Sequence, residues 1–367
     1  MDGDARNSNS HILSLLYSPY SYEILLMRRT EFMYSTLSLW QRVVLPKLVC
    51  LLALFLLALT SAAGAQTSLR LDADKDKPQP RNWRLMTDAW HREFSGAAPS
   101  REGMDKLNIS ASALASVPGY QWIWSHIKSA APAVTNVYIV DLKQESHGYA
   151  NDAPVSLVVG DNMGNYGKSD AEVEEAEAQW LESMKGKTLT FVPIGRTDPK
   201  FFGPLTLTIT KTQTEEQVVK EAGLRYVRFA TPHSCWPEPQ TVDRFLELVR
   251  NLPENSWLHF HCHAGHGRTT TFVVMYDCMR NPQVDLETIV RRQYLLDGTD
   301  LLNPKKGDKF IAKAEQHRAQ MLKLFHRYAR ELDSNQTSLA WSEWLKQNFP
   351  QDNFTLEAEP DYNDEAT

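Results

Sequence analysis

The stretch His261-Cys-His-Ala-Gly-His-Gly-Arg-Thr269 constrains this chain more than any other. It sets a thiol, Cys262, six positions before a guanidinium, Arg268, across a loop bearing Gly265 and Gly267. A strand-like run, Trp257 to His261, enters the loop, and an apolar helical run, Thr270 to Met279, leaves it. Such a turn aims successive backbone N–H groups inward at a helix N-terminus and makes a nest for an oxyanion. The same field should draw the thiol from about 8.5 into the range of roughly 3.5–7.5, so that Cys262 is a thiolate. Arg268 adds a planar fork that matches phosphate oxygens. Cys-x5-Arg alone recurs by chance, and a lone cysteine after a strand is usually core. Here strand, glycines, arginine and the Thr269-Thr270 hydroxyls coincide, which points to phosphoryl transfer through a cysteinyl-phosphate.

The net charge of −6 argues against a general nucleic-acid binder, so an anionic substrate needs a local basic pocket. Near the N-terminus, Arg42 and Lys47 precede the uncharged run Leu48–Leu59, and Ala63-Gly-Ala65 follows with a small-x-small pattern. This predicts a leader and signal peptide over 1–65, cleaved after Ala65, and a periplasmic or secreted protein with no stable membrane association afterwards. The apolar run is short of the roughly 20 residues a spanning helix needs. Cleavage removes Cys50 and leaves Cys235, Cys262 and Cys278, an odd number that is no disulfide framework.

Along 66–367 the pattern predicts strands at 137–142, 188–192, 205–210 and 225–230, with helices over 169–185, 215–223, 242–249, 270–280, 285–297 and 308–333. Strands alternating with helices imply an α/β fold with a mainly parallel central sheet flanked by helices. The runs at 188–192 and 205–210 stand apart from any long helix and predict a small inserted β module over about 153–216.

At this point the residues resemble a family. Trp257–Thr270 is similar to the loop of the bacterial protein-tyrosine-phosphatase-like inositol polyphosphatases, the cysteine phytases. Pro99–Gly103, Asp141–Gly148, Trp236–Pro239, Arg292-Gln293 and Trp341–Leu345 extend the likeness over most of the chain beyond the leader. The resemblance implies a tyrosine-phosphatase core with a small β-barrel insertion, and hydrolysis of myo-inositol polyphosphates (phytate) with neither metal nor cofactor. It implies Cys262 as nucleophile, with Arg268 and loop residues His263, Ala264, Gly265, His266, Gly267 and Thr269 around the phosphate. It also implies substrate contacts from Arg70 and Arg318, with Lys313, Arg196 and Lys200 as further candidates, while His147 would brace the loop.

The chain departs from the family at one point. The family's general acid is an aspartate three residues before the tryptophan of the Trp-Pro segment. This chain reads Thr231-Pro-His-Ser-Cys-Trp236, which puts His233 in that slot. An inositol alkoxide is a poor leaving group, so three readings stand: His233 as a cationic acid, Glu238 from the same loop, or no dedicated acid. His263 and His266 are expected to be cations that strengthen the anion field. A reversible Cys235–Cys262 disulfide is a further expectation. A tyrosine phosphatase and a binding module with little turnover are the alternatives to a phytase.

Overall fold

The computed structural model describes residues 67–194 and 198–352, with 354, 356, 358 and 360; the predicted leader and Arg196 lie outside them. Five strands form the central sheet, in the order β10 (Arg225–Thr231), β4 (Asn136–Lys143), β11 (Ser256–Cys262), β3 (Ile109–Ala113) and β2 (Arg84–Leu85). The first three pairings are parallel and the last, β2 with β3, is antiparallel. Every other sheet in the described chain is antiparallel, so the parallel character expected of the fold is confined to one layer.

Helices cover both faces of this sheet, which is why its strands read as nearly unbroken apolar runs. On β4, Val137 and Ile139 point to one face and Val140 and Leu142 to the other. The first face packs on α1 (Val117–Ala130) and α3 (Glu215–Glu221), through Tyr120, Ile123, Ile127, Val218 and Val219. The second packs on α4 (Pro239–Arg250), α5 (Gly267–Arg280), α6 (Leu286–Leu295), α7 (Phe310–Asp333) and α8 (Trp341–Asn348). The predicted stripe Val242, Phe245, Leu246 and Val249 is the buried face of α4. On α5 every residue from Arg268 to Cys278 is buried, so Cys278 is a packing residue at the centre of the domain.

The inserted module differs from the expected barrel. Strands β1 (Thr67–Leu71), β6 (Ala153–Val159), β5 (His147–Ala150) and β9 (Thr212–Gln213) make a four-stranded antiparallel sheet. Strands β7 (Thr188–Phe191) and β8 (Leu205–Thr208) make a separate ribbon. A single bridge, Arg70 to Val192, joins ribbon to sheet, so the ladder does not close among the described residues. Helix α2 (Asp170–Met184) covers this layer with Leu181 and Met184 against Val155 and Phe191, and a capping box of Ser169 and Glu172 starts it. Because β1 and β5 lie outside 153–216, the layer is assembled from three parts of the chain. This brings Arg70 and Asp72 next to the end of β4, where the candidate site lies.

Candidate active site

Strand β11 ends at Cys262 and α5 starts at Gly267, so the four residues between them turn the chain by a full loop. Gly265 takes φ 74°, and a Cβ there would stand 2.5 Å from the Ser112 carbonyl oxygen and 2.6 Å from the Ala113 nitrogen. Only glycine fits, because the loop presses on the neighbouring strand in a left-handed conformation. No side chain caps α5, which leaves its N-terminal N–H groups facing the loop's concave side.

Cys262 is buried at the floor. Burial alone would push its thiol up. The Arg268 guanidinium, the Thr269 hydroxyl and the backbone N–H groups of Thr269 and Gly265 outweigh burial, and the group titrates below an ordinary thiol. The direction of this shift is the one the loop pattern predicts.

Arg268 is held in place from behind. Its Nη1 and Nη2 donate to Glu145 Oε2 and Oε1 at 2.6 and 2.9 Å, and Nη1 also reaches the Thr231 carbonyl at 3.0 Å. Burial opposes the Glu145 charge, but Arg268, Lys143 and Arg70 hold its carboxyl well below the usual range. Glu145 lies in the Asp141–Gly148 segment and was not singled out from sequence. A carboxylate three residues after a predicted strand carries no mark of its partner, which is 123 positions away.

Arg70 is buried rather than exposed to substrate. Its donors go to Asp72 at 2.6 Å, Asn162 at 2.8 Å and Glu145 at 3.4 Å. Lys143 completes this charge web by donating to Asp72 and Ser156, both at 2.7 Å. Asn162, which Arg70 fixes, lines the cleft above Cys262, and Arg70 does not.

That cleft has a volume of about 220 Å³ and is walled by Asn162, His233, Arg268, Lys305, Glu315 and Arg318. Arg318 is buried, and its Nε and Nη1 have no hydrogen-bond partner; Nη1 lies 3.1 Å from where a Gly267 Cβ would stand. An unsatisfied guanidinium leaning on the anion loop is the arrangement a second phosphate oxygen set requires. Lys313 faces elsewhere and lines a different depression with Gln316 and Phe349. Five residues along a helix rotate the side chain by about 140°, so Lys313 and Arg318 cannot share one face. Lys200 is exposed and is not among the cleft residues, whereas Lys305, unmarked by any motif, is.

The histidines depart from the expected cations at His233 and His266. His233 lines the cleft, as the slot predicts, but burial, then Arg268, Arg70 and Arg318, push it down to about 3, against a partial offset from Glu145. At that value the imidazole is neutral at pH 7. Its neighbour Ser234 sits at φ 61° in a turn closed by the Cys235 N–H and the Pro232 carbonyl. Burial, then Arg84 and Arg92, push His266 below an ordinary imidazole; its Nε2 lies 3.1 Å from Asn82 Nδ2 and its Nδ1 lies 3.0 Å from the Asp297 carbonyl, which can only accept. It braces the loop. His263 turns Nδ1 toward Asp72 Oδ1 at 3.1 Å, so its partner is a buried carboxylate. His147, expected to brace, is fully buried between Glu215, Asp141 and Glu177.

Glu238 is exposed and borders a different pocket with Cys235 and Trp236. Cys235 and Cys262 are both free thiols facing different cavities, and burial pushes Cys235 up to about 12. Among the described residues, Asp141, Glu215 and His261 have a spacing that could hold a metal ion. Their carboxylates are already engaged, Glu215 by His147 at 2.9 Å and Asp141 by Arg228 at 3.2 Å. They form a buried charge network under β11.

Comparison with known proteins agrees with this geometry. Residues 140–280 match the model of the PTP-like phytase family, described by the words inositol hexakisphosphate. The PTP-like myo-inositol phosphatase of Mitsuokella multacida, solved with myo-inositol-(1,3,4,5)-tetrakisphosphate, superposes with a TM-score of 0.70 and 34% identity, over 77% of this chain and 49% of that one. A PTP-like phytase from Bdellovibrio bacteriovorus superposes with a TM-score of 0.60 and 30% identity, over 77% of this chain and 95% of that one. The effector protein hopD2 of Pseudomonas syringae pv. tomato is 31% identical over 217 residues, 56% of this chain and 45% of the relative. The chain thus spans about half the length of the Mitsuokella and Pseudomonas proteins. It belongs to the protein-tyrosine-phosphatase-like phytase family.

Proposed function

We propose that this protein hydrolyses phosphomonoesters of myo-inositol polyphosphates through a phosphorylated Cys262. The observation that carries the reading is the buried, field-lowered thiol under an uncapped helix N-terminus, in a cleft where Arg318 Nε and Nη1 have no hydrogen-bond partner. Cys262 sulfur attacks phosphorus as the bond to the inositol oxygen breaks, and Arg268 with the loop N–H groups holds the non-bridging oxygens. The departing oxygen needs a proton. His233 is the cleft residue placed to give it, once a bound dianion offsets the cations that keep it neutral. Water then attacks the cysteinyl-phosphate, releasing inorganic phosphate and restoring the thiolate. The leader at 1–65 is part of the same reading and makes the enzyme an exported one.

The family match and the inositol phosphate seated in the Mitsuokella structure support the substrate class. The test is phosphate release from phytate by the chain after Ala65 and by its Cys262→Ser form, beside a phosphotyrosyl peptide. Release from phytate that vanishes with the sulfur supports the reading. Preference for the peptide would replace it with a tyrosine phosphatase, and binding of phytate without release would make the protein a receptor.

A further inference from the structure

Arg84 is fully buried, and its Nε and Nη2 have no hydrogen-bond partner; the single bond it makes runs from Nη1 to the Asn82 carbonyl at 3.2 Å. No carboxylate pairs with it among the described residues. A buried cation without a counter-charge is costly, so its position needs an explanation. Strand register supplies one. Arg84 pairs with Ala111, Ala111 with Phe260, and Ala113 with Cys262. Alternation along β3 puts Ala111 and Ala113 on one face, so Arg84 and Cys262 share that face of the sheet with Phe260. Strands spaced by about 4.8 Å bring a long arginine side chain toward the sulfur across those alanines.

The backbone on the same edge serves the loop. Asn82, at φ 53°, donates to the Ala264 carbonyl at 2.7 Å and to His266, and the Ala113 N–H donates to the Arg81 carbonyl at 2.8 Å. Arg268, by contrast, has its charge largely matched by the Glu145 fork.

We propose that Arg84 is a second, permanently buried counter-charge of the Cys262 thiolate beside Arg268, and that through Asn82 it also positions the anion loop. Burial pushes the Arg84 guanidinium down to about 10, and the attractions of Cys262 and Asp297 oppose that shift, with Arg92 adding to it. His266 and His259, the other titratable neighbours, are held down in part by the same cation. Cys262 is faced by Arg268 from α5, Arg318 from α7 and His233 from the loop after β10, besides Arg84. The proposal rests on Cys262 being the thiolate of the reading above.

The test needs no substrate, so its result stands apart from which ester the cleft takes. The rate of Cys262 alkylation by iodoacetamide is followed from pH 4 to 9 in the wild type, Arg84→Met and Arg84→Gln. R84M removes charge and hydrogen bond, while R84Q keeps a donor for the Asn82 carbonyl. Both should move the midpoint of reactivity upward by about half to one pH unit, a roughly 3- to 10-fold loss of thiolate below the midpoint. A wild-type midpoint in R84Q overturns the proposal. In a Cys262→Ser background, R84Q should raise the melting temperature, because a cation with no counter-charge is being removed. A fall there would show that Arg84 is merely structural.

Discussion

Replacing Glu145 with glutamine tests how Arg268 is held. The carboxylate makes two short bonds to Arg268, a longer one to Arg70, and is itself buried. Glutamine preserves the shape but cannot accept both guanidinium donors, and it leaves two buried cations facing one fewer anion. Breaking a buried ion pair in this way costs about 3–5 kcal/mol. In a chain of this size that is about 5–8 °C of melting temperature. The loss should depend on pH with a definite sign. Glu145 titrates well below an ordinary carboxyl of about 4.3, so its stabilisation is complete above that value and fades as pH falls through the folded one. The gap between wild type and E145Q should therefore be full at pH 7 and narrow toward pH 3. Activity should fall by roughly 10²-fold, since a fork displaced by about an ångström no longer matches the phosphoryl oxygens. Thermal unfolding at pH 7 and pH 3, with turnover at mild pH, measures all three. Equal melting temperatures at pH 7 would refute the argument, as would a gap that widens on acidification.

Gly265→Ala should lower stability by more than about 1 kcal/mol and suppress Cys262 alkylation near neutral pH, because its methyl group meets the Ser112–Ala113 backbone; wild-type alkylation would show that the loop relaxes freely. His233→Ala should slow phytate turnover by roughly 10²–10⁴ while sparing an activated aryl phosphate; equal slowing of both would remove His233 as the proton donor. Arg318→Met should raise KM for polyphosphates about 10- to 100-fold with melting temperature unchanged or higher, since no bond of its Nε or Nη1 is lost in the free protein; a large drop in stability would contradict that.

The nucleophile loop was legible because its residues are contiguous: Cys262, Gly265 and Arg268 carry their chemistry in their spacing. The strand at 137–142 and the helices near 242–249, 270–280 and 308–333 were legible from periodicity, with ends that differ by a few residues. The supports of the loop were not. Glu145, Arg84, Asn82 and Lys305 come from distant segments, and each looks in the sequence like an ordinary polar residue. Strand β3 and helix α1 were missed: Ile-Ser-Ala-Ser-Ala is too short and small-sided to read as a strand, and α1 mixes tryptophans with polar residues. Charge states failed for a related reason. His233 and His266 looked like cations by type, whereas burial and neighbouring arginines push both below an ordinary imidazole.

The most direct measurement is a rapid acid quench during phytate turnover, followed by intact-mass and peptide analysis. The account predicts one phosphoryl group attached to the peptide that carries Cys262, appearing and decaying at the rate of turnover. Steady phosphate release with that cysteine never modified, or release that persists in Cys262→Ser, would contradict it.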